Sequence, residues 1–142
     1  MRMIKITTDN QISVLDFPEG TISEQNEKLR GLIGPGCRCV EHVAPKRLYT
    51  VLGAIRKRID VPGETVGMLV DEEGYFQKLD VNLVGSYLYE TDRHGNPILG
   101  NILIIGEMYE HCGISFCGIN DEQFEILYPQ LEELTEKARE HR

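Results

Sequence analysis

All four cysteines of this 142-residue chain fall in two short stretches, GPGCRCVEH at 34–42 and EHCGISFCG at 110–118, and each stretch also carries a histidine. Thiolate and imidazole are the ligands of structural zinc, which takes four of them, usually as pairs two to four residues apart. Cys37 and Cys39 have the spacing to share one face of a strand, with His42 on the other. Cys112 and Cys117 would point opposite ways on a regular strand. A ligand set of Cys37, Cys39, His111 and Cys112 can be drawn, but its spacing matches neither a zinc finger nor a ribbon. No metal and no cofactor is expected. A redox pair lacks its C-x-x-C motif. Cysteines in a reduced protein are mostly small buried hydrophobes, and the alternation in CRCVEHV fits that role. The two stretches are expected to neighbour each other in a sheet without converging on an ion.

Carboxylates form the next cluster. Asp71, Glu72 and Glu73 could hold a divalent ion or exchange protons. Their setting in LVDEEGYFQKL reads instead as strand, tight turn and return strand, with Gly74 supplying a positive φ. The chain contains no G-x-S-x-G, no Walker loop and no H-E-x-x-H, so no nucleophile, base and oxyanion hole can be assembled. A non-enzymatic role is expected. The basic stretch PKRLY, followed by RKR at 56–58, is better suited to recognition. Arginine grips phosphate or carboxylate with two parallel bonds, and tyrosine stacks on a flat ring. Lys46, Arg47 and Tyr49, joined by Asn82 and His94 from later loops, are the candidate ligand-binding residues.

The charge is uneven. The net charge is −8, yet residues 1–58 hold ten Lys/Arg against six Asp/Glu, and residues 59–142 hold five against seventeen. An acidic half excludes non-specific nucleic-acid binding, which rests on neutralising phosphates, and it could engage a basic partner. Asp121, Glu122, Glu125, Glu132 and Glu133 are the candidate partner-binding residues.

The elements that must position these groups follow from local pattern. MIKITTDNQISVLDF predicts a hairpin turning at TDNQ. A helix is expected from Ser23, which can cap it, with Leu29, Leu32 and Ile33 on one face and GPG as its stop. CRCVEHV predicts a strand ended by Pro45, and KRLYTVLGAIRKR is open between helical turn and loop. VGMLVD and NILIIG are buried strands, Asn82 can cap a short helix, ETDRHGNP is a polar loop and ISFCG a short strand. Asn120 caps a final helix that Pro129 kinks or divides. One domain follows: α+β, a mainly antiparallel sheet of about six short strands with the C-terminal helix packed on one face. No segment reads as a signal peptide, and ILIIG is far too short for a membrane span. A cytoplasmic, thiol-reduced setting is expected.

CRCVEHVAPKRLY, MLVDEEGYFQKLDVNLVGSYLYETDRHGNPILGNILIIGE and the final helix together resemble a family of small domains of unknown function carried by bacterial phages, plasmids and conjugative elements. The resemblance runs from about Ile22 to about Gly118. Its distinctive pieces are the acidic turn Asp71–Gly74, then Asn82, then Gly100–Asn101 before the apolar strand. It implies no reaction and no active site. It does imply a mobile-element setting, where small acidic proteins often act against host defence. The leading expectation is therefore a non-catalytic accessory protein that binds and inhibits a host defence protein, such as a basic nucleic-acid-binding effector. The alternative is a binder of a phosphorylated small molecule, sequestering a nucleotide or cyclic-nucleotide signal; the third is a metal-dependent hydrolase. Oligomeric state is not legible.

Overall fold

The computed structural model describes residues 1–56, 58–110 and 113–141. Its six strands form one antiparallel sheet. β1 (Arg2–Ile6) and β2 (Ile12–Asp16) make the expected hairpin, in register from Arg2 opposite Asp16 to Ile6 opposite Ile12. Asn10 takes φ 62° in its turn, a conformation that asparagine tolerates better than most residues. β3 (Val40–Val43) pairs with β4 (Thr65–Asp71), β4 with β5 (Ile102–Glu110), and β5 with β1, giving the order β2-β1-β5-β4-β3. β6 (Gly113–Cys117) folds back on the far half of β5. Ile102 to Ile105 are fully buried on both faces, as an unbroken apolar run at the centre of a covered sheet must be.

Both faces are covered by helix. On one, Ile4, Met68 and Ile104 pack against Phe124, Leu127 and Leu131 of α5 (Asp121–Glu140), with Leu48 of α2 (Lys46–Thr50) and Val84 and Leu88 of α3 (Leu83–Leu88). On the other, Met3, Leu69, Leu103 and Ile105 meet Leu29 and Ile33 of α1 (Ile22–Ile33). The short α4 (Thr91–His94) follows α3. α5 is continuous through Pro129.

Four local expectations are corrected. The cap of α1 is Thr21, not Ser23: its hydroxyl accepts the Glu24 N–H at 3.2 Å while the Glu24 carboxylate accepts the Thr21 N–H at 3.1 Å. Pro129 does not start a second helix; it lies inside the single helix α5. The segment YFQKL is not a return strand. Asp71 accepts the Glu73 N–H and the Gln77 side chain, both at 2.8 Å, and winds residues 72–78 into successive turns. The left-handed residue there is Lys78 at φ 56°, not Gly74. Finally, Cys37 and Cys39 precede β3 and do not share a strand face. Cys37 is buried under α1, whereas Cys39 is exposed.

Candidate functional site: a groove where β3 stops

Pro45 has no N–H to give a ladder, so β3 ends after Val43, and Thr65 to Gly67 of β4 lack a strand neighbour on that side. Tyr49 fills the gap. Its hydroxyl accepts the Val66 N–H at 2.9 Å and donates to the Val66 carbonyl at 3.3 Å, doing for the sheet edge what a missing strand would do. Burial raises the tyrosine's pKa, with the Val66 bond acting in the opposite direction.

A groove of about 460 Å³ lies beside this patch. Across its floor, His42 of β3 reaches Glu107 of β5, Nε2 to Oε2 at 2.5 Å. The two strands are not neighbours; β4 runs between them, and Gly67 is what lets the side chains meet. A Cβ on Gly67 would stand 2.6 Å from His42 Nε2 and 2.7 Å from Glu107 Oε2. Phe116 of β6 closes one side of the imidazole edge-on, ring centroids 5.1 Å apart. The pair is an ion pair when the imidazole is protonated; otherwise the Glu107 carboxylate keeps its charge and accepts a single imidazole N–H. On the rim, Lys46 is exposed, and the Arg56 guanidinium lies 4.7 Å from the centre of the Tyr49 ring.

Lys46 is thus the one expected ligand-binding residue whose polar head remains available. Arg47, next in sequence, turns to the other side of α2. It donates to both carboxylate oxygens of Asp92 at 2.6 and 2.9 Å and to the Tyr87 carbonyl at 2.9 Å, tying α2 to α3 and α4. That pairing raises the arginine's pKa and lowers that of Asp92. Asn82 caps α3 as expected, accepting the Gly85 N–H at 2.8 Å, but its amide also donates to the carbonyls of Ile6 and Gly100 from a fully buried position. His94 pins its own loop, through Nε2 to the Tyr89 carbonyl at 2.9 Å and Nδ1 to the Asn96 N–H at 3.1 Å.

Gly100 and Asn101, which precede the apolar run of β5, serve the fold. Asn101 accepts the Thr8 N–H and donates to the Ile33 carbonyl, joining the hairpin turn to the end of α1. Gly100, at φ +88°, adopts the left-handed backbone that turns the chain into β5.

The acidic candidates line the outside of α5. Asp121 and Glu125 are 86% and 74% exposed and share Arg2; Glu133 pairs with Lys137 at 3.2 Å and Glu132 with the Tyr128 hydroxyl at 3.4 Å. Glu122, Glu125, Glu132, Glu136 and Glu140 are all exposed and recur at helical spacing, so they form one stripe.

Of the cysteines, burial and then the nearby Asp71 push the Cys37 thiol up to about 11, and burial raises Cys117. Cys117 lies on β6, which β5 and β4 separate from β3, so the two stretches are not sheet neighbours. His111 and Cys112 lie outside the described residues. Among the described residues, no three His, Cys, Asp or Glu side chains gather as a metal site would require, and no helix is long and apolar enough to cross a membrane.

Gly67 and Glu107 are the residues that sequence reasoning missed; His42 and Arg56 stand in stretches it singled out, but it did not join them into one site. The available signal was Gly67, a glycine inside an otherwise apolar strand, which marks a place where another group comes close. Compared with known protein families, curated proteins and solved structures, the chain matches none.

Proposed function

We propose that this chain is a non-catalytic binding protein that presents the outer face of α5 to a basic partner. In the mobile-element setting implied by the sequence resemblance, that partner is a nucleic-acid-binding effector of host defence, which the chain inhibits by occupying its basic surface. The observation that supports this reading is the stripe of exposed carboxylates along a 20-residue helix whose opposite side is anchored in the core through Phe124, Leu127 and Leu131. Such a helix is a rigid carrier of negative charge, and complementary charge steers encounter and sets specificity. The test is binding of the purified chain to a panel of purified basic defence nucleases over a range of salt. The expected result is a stoichiometric complex that weakens with salt and is lost when Glu125, Glu132 and Glu136 are changed together to Gln. Equal binding by that variant, or no partner in the panel, counts against the reading.

A further inference from the structure

Four described cations lie between residues 46 and 58, and they divide into two kinds. Arg47 is neutralised by Asp92, and Arg58 by Asp60 at 2.5 Å. Lys46 and Arg56, the two that line the groove at the end of β3, have no carboxylate partner among the described residues. In a chain with 23 acidic residues against 15 basic ones, that pairing pattern leaves the groove locally positive. The groove's own carboxylate, Glu107, is hydrogen-bonded to His42 across Gly67, and its single charge is outnumbered by those of Lys46 and Arg56. Arg56 is oriented by the face of Tyr49, itself fixed to Val66, so its planar fork of donors is positioned without being used.

We propose that this groove binds a small phosphate monoester. Its phosphate sits between the Lys46 ammonium and the Arg56 guanidinium, and its organic body lies against Pro45 and Ile59, both of which line the groove. The volume, about 460 Å³, is that of a small-ligand site, and its lining mixes apolar wall with a few polar groups, as such sites do. The site is separate from the outer face of α5 and does not depend on the protein-partner reading. It also differs from the sequence-based expectation in the residue that does the gripping: Arg56 takes the place of Arg47.

The experiment is titration of the intact chain, by calorimetry and by backbone NMR shifts, with adenosine 5′-monophosphate, adenosine and inorganic phosphate. Adenosine 5′-monophosphate is expected to bind saturably at one site and to shift His42 and Val66. Phosphate should compete weakly, and adenosine should not bind. Lys46→Ala and Arg56→Ala, both at exposed positions, are each expected to weaken binding about tenfold, the worth of one charge-assisted contact. Arg47→Met, provided it remains folded, is expected to leave binding unchanged. Absence of saturable binding, adenosine binding as tightly as its monophosphate, phosphate binding as tightly as the monoester, or indifference to both alanine variants would each overturn the proposal.

Discussion

The two ends of this sheet use polar side chains in opposite ways. At one end, Asn82 and Asn101 are consumed: buried or half-buried, each bonded to backbone groups from separate parts of the chain. At the other, His42 and Glu107 satisfy each other over a glycine while Lys46 and Arg56 keep their donors open to solvent. A polar group with every bond made inside the chain stabilises the fold and has nothing left for a ligand. One with bonds to spare contributes little to the fold and remains available.

Breaking the first end should cost most. Asn82→Ala removes bonds to two carbonyls and one N–H at a fully buried site, and should lower stability by about 3 kcal/mol in urea unfolding. A loss under about 1 kcal/mol would contradict the assignment of Asn82 as a tie.

Arg47→Met should come next, lowering the melting temperature by several degrees at neutral pH, because Arg47 joins three helices. The folded-state pKa of Asp92 lies below its ordinary value, so the contribution of this pair is complete above the usual aspartate range and is lost as pH falls through the lowered value. The gap between wild type and Arg47→Met should therefore narrow on acidification; a constant gap would show that the carboxylate is not involved.

Gly67→Ala sharpens the contrast from the other side. The new methyl group must push apart two side-chain ends rather than backbone, so a cost of about 1 kcal/mol is expected, together with loss of the His42–Phe116 ring contact in NMR spectra. The smallest effect should come from Glu132→Gln with Glu136→Gln. At exposed positions these should change stability by less than about 0.5 kcal/mol while weakening any complex made by α5.

Much of the fold was legible because it rests on local rules. The hairpin, the central run at NILIIG and the helices capped by Asn82 and Asn120 each follow from a periodicity or a capping residue within a few positions. YFQKL was misread because the side chain of Asp71 organises the turn, a competition that alternating apolarity does not reveal. The groove was hidden for a different reason. Its central pair joins residues 42 and 107 across a third strand, and the register that aligns them is set by hydrogen bonds over the whole sheet. Lys46 and Arg47 look equivalent in a string of letters, and only the rotation of a five-residue helix separates one as free from the other as tied.

Cys37 and Cys39 are separated by a single residue, yet one thiol is sealed beneath α1 and the other faces solvent. A neutral alkylating reagent should label Cys39 first, at a rate slowed by the Glu72 bond that raises its pKa, and Cys37 only as fast as the α1 side of the core opens. Both fall in one short stretch of chain, so the ratio of the two adducts is an internally normalised clock for local unfolding, and any ligand or partner that holds α1 down would slow one hand of it without touching the other.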